Sequence, residues 1–411
     1  MGKMIEIQAT DGSGRFSAYL ALPASGKGPG VVIGQEIFGV NATMRGVADL
    51  YAEEGYVTLV PDLFWRQQPG IELGYTEADF ARAIELFQGL DLELAVQDID
   101  AGFQALRQME QVEPGGLGYV GLCMGGKLAY LTATHTDVAC AVGYYGMGIE
   151  HLLDQAEQIK GRLVLHFAEQ DSYCDATARA QIQTRLGGRE SVEIYTYPGV
   201  DHAFARSGGM HYDKPAALMA HQRSIAALKR EIGPHYNLSE LWDKHVKYEF
   251  ALRDVPATMA TMVAEPYVNH IPTMTGGVGQ LELSRFYQHH FVHGNPEDMK
   301  LVPISRTVGS SQIVDEFIMS FTHTSAIDWM LPNVAPTGRY VEIPMLGVIK
   351  FRGDKLCHEH IYWDQASVLV QIGLLDPTGL PVVGAEAAKK LLDEQLPSNT
   401  LMHSWTASAG Q

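Results

Sequence analysis

Cys123 stands in Gly121-Leu-Cys123-Met-Gly125-Gly126, between an apolar run and an amphipathic stretch that starts near Met124. A nucleophile flanked by glycines at a strand-to-helix turn is the elbow of acyl-transfer enzymes, here with cysteine where serine is usual. The turn leaves no space for Cβ atoms beside the nucleophile, so the side chain projects over the sheet edge. A helix starting there supplies free N–H donors and partial positive charge, which favour thiolate and a developing oxyanion. The competing reading is a structural cysteine buried in a glycine-rich turn. Elbow enzymes order their residues nucleophile, acid, histidine. Here the apolar run 163–167 leads into Asp171, and the run 192–197 leads into His202. Asp175 and Asp201 are rival acids, but Asp201 adjoins the histidine too closely to reach back to its ring. His166 and His211 are rival bases; the first lies inside a strand and the second well past one. Cys123, His202 and Asp171 together read as nucleophilic acyl transfer, with His202 moving the proton and Asp171 orienting the ring. Thiols attack esters and thioesters well and expel amines poorly, so a lactone or ester fits better than an amide. Glu36 follows the apolar run 30–33 and is either a solvated loop carboxylate or a partner that holds the thiol until substrate arrives.

Such residues need a frame that brings strand ends to one rim. Through residue 235, apolar runs at 4–9, 16–22, 30–33, 56–60, 117–121, 138–144, 163–167 and 192–197 alternate with helix-like stretches. Those stretches fall at 41–54, 77–110, 124–134, 174–187 and 215–231. The first two strands are expected to form an antiparallel edge hairpin and the rest a mostly parallel sheet with helices on both faces. Ligands then bind beyond the carboxyl ends of the strands. Gly233-Pro234 followed by Ser239 marks a boundary, giving domains 1–235 and 236–411. The second domain shows helical stretches at 239–264 and 282–293, then strands at 302–308, 311–323, 338–352 and 355–364, the last pair joined at Gly353-Asp354. Helices followed by antiparallel strands predict an α+β domain.

Gln35-Glu36-Ile37-Phe38-Gly39, Pro61-Asp62-Leu63, the Cys123 elbow, Gly143-Tyr-Tyr-Gly146 and Gly199-Val-Asp-His202-Ala-Phe204 together resemble the dienelactone hydrolase family, the carboxymethylenebutenolidases. The resemblance covers about residues 1–232. It implies an α/β-hydrolase fold acting on a small carboxylated lactone in aromatic catabolism. It also implies a triad of Cys123, His202 and Asp171, with Glu36 as resting partner of the thiol. The implied oxyanion hole is formed by the Ile37 and Met124 main-chain N–H groups. Of the family's two carboxylate-binding arginines, one falls on Arg206. The other falls on Ala81, with Arg82 adjacent. From about 240 onward, Tyr267-Val-Asn-His270 and His360-Ile-Tyr-Trp363-Asp364-Gln365 resemble the SnoaL-like members of the NTF2-like superfamily. That implies a cone-shaped α+β fold around an apolar pocket, with Asp364 and His270 as pocket residues. Strand alternation puts His358, His360, Tyr362 and Asp364 on one face and Glu359, Ile361 and Trp363 on the other.

Composition narrows the classes. Thirty Lys plus Arg against 48 Asp plus Glu give a net charge of −18, which disfavours phosphate backbones and anionic membrane surfaces. Four cysteines in 411 residues do not make a disulfide framework, and a cytoplasmic setting is expected. No cofactor or metal is expected: His358 and His360 lack a third ligand at a recognisable spacing, and Gly276-Gly277-Val-Gly279 lacks the context of a phosphate loop. A different class of reading gives the second domain the leading role, as a cyclase, isomerase or small-ligand binder. A third has that domain mediate self-association into a homo-oligomer.

Overall fold

The structure is a computed structural model and describes residues 2–409. Its contacts divide the chain between His235 and Tyr236 into two units.

In the first unit the apolar runs become strands β1 (Lys3–Gln8), β2 (Arg15–Ala21), β3 (Gly30–Gly34), β4 (Val57–Pro61), β5 (Gly118–Leu122), β6 (Cys140–Tyr144), β7 (Arg162–Ala168) and β8 (Val192–Tyr197). They form one eight-stranded sheet in the order β1-β2-β4-β3-β5-β6-β7-β8. The β1–β2 and β2–β4 pairs are antiparallel, whereas β4–β3 and every pair from β3 to β8 are parallel. Every residue of β3, β4, β5 and β6 is buried, as a sheet covered on both faces requires. The helices are α1 (Ala42–Glu53), α2 (Glu77–Gln88), α3 (Leu92–Arg107), α4 (Met124–His135), α5 (Ala176–Leu186) and α6 (Lys214–Ile232).

The single helical stretch expected at 77–110 is two helices. Gly89 ends α2, and the Asp91 side chain accepts from the Glu93 and Leu94 N–H groups to start α3. A capping carboxylate at that point competes successfully with helix continuation.

The second unit contains α7 (Leu238–Val246), α8 (Val255–Ala260), α9 (Gly279–Phe286), α10 (Gln365–Gln371) and α11 (Glu386–Leu392). Its strands are β9 (Met262–His270), β10 (Thr275–Val278), β11 (Lys300–Val308), β12 (Gln312–Thr322), β13 (Tyr340–Arg352) and β14 (Lys355–Trp363), in the sheet order β10-β9-β14-β13-β12-β11. All pairs are antiparallel except β14–β9. The helix expected over 239–264 is interrupted. α7 widens into a π-helical turn, Lys247–Leu252, which ends at Arg253 with φ 52°. Asp254 then caps α8, and Met262 already begins β9. An Asp cap followed by proline restarts a helix, and the β-branched and aromatic residues of 262–270 suit a strand paired on both sides. Gly276 and Gly277 lie within β10.

Candidate active site

β5 ends at Leu122 and α4 begins at Met124, so Cys123 occupies the turn alone, with φ 56° and ψ −112°. That conformation is costly for a residue with a Cβ and persists only where surroundings enforce it. A Cβ on Gly121 would sit 1.9 Å from the Gly125 carbonyl oxygen, and one on Gly125 2.3 Å from that of Gly34. Cys123 N–H donates to the Tyr144 carbonyl (3.0 Å) and Gly125 N–H to that of Gln35 (3.0 Å), tying the elbow to β6 and to the loop after β3. Cys123 as a residue is 5% exposed.

β7 and β8 carry the partners to the same sheet end. His202 Nδ1 lies 2.8 Å from Asp171 Oδ2, and Cys123 is near enough to act electrostatically on the ring. Burial disfavours the imidazolium, yet Asp171 and the Cys123 sulfur outweigh it and raise the His202 pKa to about 10. Asp171 Oδ1 accepts from Tyr173 N–H (2.8 Å), which fixes the carboxylate. The rings of Tyr145 and Tyr173 meet His202 edge-on, each with centroids 5.0 Å away. Tyr145 and Ala203 also have positive φ, 40° and 65°, so three strained non-glycine residues converge here.

The rivals have other duties. Asp175 caps α5 through Ala178 N–H, and Asp201 accepts from the His202 backbone N–H at 2.6 Å. His166 is fully buried, bonded to Tyr197 Oη and Ser224 Oγ at 3.0 Å each, and burial pushes its pKa down to about 3. His211 lies outside, its Nδ1 against the His202 carbonyl oxygen.

Glu36 is 1% exposed. Its Oε2 accepts from Tyr75 Oη (3.2 Å) and Arg206 Nη1 (3.4 Å), while its Oε1 has no hydrogen-bond partner. Arg206 stacks 4.1 Å over the Tyr75 ring, and its buried Nε is also without a partner. Glu36 and Cys123 both act electrostatically on the buried Tyr145 hydroxyl and keep its pKa well above the usual phenol range, after burial itself. Among the described residues, neither the Ile37 nor the Met124 N–H has an acceptor, as expected for a loop amide and the first amide of a helix. Arg82 does not join this group. It sits on the exposed side of α2, bonded to Glu85 Oε2 and Gln68 Oε1 at 2.8 Å each, because α2 turns Ala83 and Leu86 inward instead. Sequence reasoning missed Tyr75, whose place just before the Thr76 cap of α2 gives no chemical signal.

The Dienelactone hydrolase family pattern matches residues 16–232, more than half of the chain. The chain belongs to the dienelactone hydrolase family. A relative from Azospirillum brasilense is 39% identical over 231 residues, 56% of this chain and 99% of its own. A carboxymethylenebutenolidase of Pseudomonas sp. strain P51 is 39% identical over 220 residues, 53% of this chain and 92% of its own. A solved structure from Klebsiella pneumoniae is 26% identical, with a TM-score of 0.49 over 56% of this chain and 99% of that one. Like other dienelactone hydrolases, the protein is a hydrolase, and its first unit has the α/β-hydrolase-like fold of the family. No helix among the described residues is long and apolar enough to cross a membrane.

The second unit lies outside the family match. His270 borders its small internal cavity and is pushed down to about pKa 4 by burial. Asp364, expected in the pocket, is exposed and caps α10, accepting from Ala366 N–H. The alternation of β14 is as read, but the inward face is that of Glu359, Ile361 and Trp363. His358 and His360 are partly buried on the other face and pack around Tyr267. A buried group unnoticed in the sequence faces the interior: His245 from α7, Glu249 from the π-helical turn and Glu359 from β14.

Proposed function

We propose that the first unit opens a small lactone or related ester bearing a carboxylate, through a thioester at Cys123. The observation that carries this reading is one imidazole, His202, bonded to the Asp171 carboxylate and within electrostatic reach of the sulfur at a strained strand-to-helix elbow. In this reading the thiol proton passes to His202 and the sulfur attacks the ring carbonyl. The Ile37 and Met124 N–H groups receive the negative charge on oxygen. The ring C–O bond breaks, and the imidazolium protonates the departing oxygen. Water then gives a proton to His202 as it attacks the thioester, and expulsion of the sulfur releases the ring-opened acid.

The unsatisfied Arg206 Nε, beside an Nη1 held only at 3.4 Å by Glu36, suits a bidentate carboxylate. Substrate would then compete with Glu36 for the guanidinium. Arg82 is too far committed elsewhere to be the second anchor, so Arg206 and the Tyr75 hydroxyl take that role. For the second unit we favour the SnoaL-like, NTF2-like fold, supported by the mostly antiparallel six-stranded sheet and its helices sharing one apolar core.

The test is Cys123→Ala in the full chain, assayed on a dienelactone and on an activated ester. A loss of about 10³-fold or more in kcat/KM, with circular dichroism unchanged, is expected. Turnover within a few-fold of wild type would end the proposal.

A further inference from the structure

We propose that the second unit binds a first-row divalent cation, Mn²⁺, Fe²⁺ or Zn²⁺, through His245 Nε2, Glu249 and Glu359. All three side chains are buried, and they offer one ligand atom each, all within 4.8 Å of one another. His245 Nε2 lies 3.1 Å from Glu249 Oε1 and 3.1 Å from Glu359 Oε1. Ligands at right angles about an ion with bonds of about 2.1 Å stand about 3.0 Å apart, and tetrahedral ones about 3.4 Å. The two separations fall between those values.

The hydrogen bonds around the imidazole set its tautomer. Thr261 Oγ1 donates to the Thr258 carbonyl oxygen (2.6 Å), so it accepts from His245 Nδ1–H (2.5 Å). The Trp242 ring stacks on the imidazole, 16° from parallel, and fixes its plane. A histidine that donates through Nδ1 to an ordered acceptor and turns Nε2 inward is arranged as metal ligands are. Nε2 then faces two carboxylate oxygens, and a proton or a cation must lie between them. One proton on Nε2 bonds Glu249 but leaves Glu359 Oε1 without a hydrogen bond. A divalent ion with two carboxylates and a neutral imidazole is neutral and satisfies all three atoms.

The adjoining space sets the size of the occupant. Glu249 and Glu359 border a cavity of about 40 Å³, walled by Trp242, Tyr287, Phe291 and Trp329. Organic ligands need about 300 Å³ or more, whereas about 10–15 Å³ of this measure holds a water. The cavity therefore fits an ion with a water or two on its open positions. The ligands come from α7, the π-helical turn and β14, and the extra residue of a π turn is a recurrent device for turning a side chain into a site.

The experiment strips full-length Cys123→Ala protein with chelator, so that no thiolate competes. Mn²⁺, Fe²⁺ (anaerobically) and Zn²⁺ are then added separately, with bound metal measured by equilibrium dialysis and unfolding followed by heating. About one ion per chain is expected for at least one of the three, together with a rise in Tm of about 5 °C or more at a large excess over Kd. Glu249→Gln and Glu359→Gln, nearly isosteric, should each weaken binding by about 10-fold or more while the folded circular dichroism persists. Stoichiometry near zero with all three ions overturns the proposal without any variant. So does equal affinity in both Gln variants. Gln variants that raise Tm in metal-free buffer, with no metal bound by the parent protein, would show a buried proton-sharing cluster instead.

Discussion

Arg206 sits where a positive charge is only half used, with a long contact to Glu36 and a buried Nε that bonds to nothing. Burying an unsatisfied guanidinium N–H is unfavourable unless a ligand completes it. Arg206→Ala should therefore lower kcat/KM for carboxylated lactones by about 10²-fold, and for neutral esters by a few-fold at most. Equal losses on the two substrate types, measured side by side, would reduce the arginine to a structural partner of Glu36. The positions of Cys123, Asp171, His202 and Glu36 just past strand ends were legible in the sequence because a strand-to-loop boundary is a local signal, whereas Arg206 was pointed to only by the family resemblance. Tyr75 and the displaced Arg82 were not legible. Which side of α2 faces the site depends on how Ala83 and Leu86 seat against the core, and neither motif nor spacing encodes that.

Elements are joined here by buried polar ties as well as by apolar packing. His166 on β7 links Tyr197 on β8 with Ser224 on α6, and its pKa is held down to about 3 by burial. Once unfolded, the ring regains a pKa near 6.5. Below that value the unfolded chain takes up a proton that the native chain refuses, so stability falls with pH from about 6.5 toward 3. The slope is about 1.4 kcal/mol per pH unit from this one group. Denaturant midpoints measured from pH 7 to pH 4 should show His166→Gln losing less stability over that interval than wild type. Parallel curves would mean that the native ring protonates freely. At this scale the strands of the first unit were readable from apolar runs and β11 to β14 from alternation, whereas β9 and β10 were not read. Two helix breaks were overlooked, one at Gly89-Leu90-Asp91 and one at the π-helical turn before Arg253. In both, capping groups and backbone geometry override a continuous amphipathic pattern.

At the scale of the whole molecule, the relative from Azospirillum brasilense aligns over 99% of its own length within 56% of this chain. The length matched, 231 residues, is about that of the first unit alone. Expressed alone, residues 1–235 should be folded and hydrolyse activated esters with kcat/KM within about threefold of the full chain. A loss of 100-fold or more would mean that the second unit contributes to the site. Local spacing and periodicity were enough to place Cys123, Asp171 and His202 after strand ends, and to give the parallel sheet and the alternation of β14. Only the tertiary structure decided which face of β14 turns inward, sent Asp364 to a helix cap, and brought His245, Glu249 and Glu359 together. Those three ligands are drawn from a helix, a π turn and a strand about 110 residues further on. No local pattern links them; packing around a common core does.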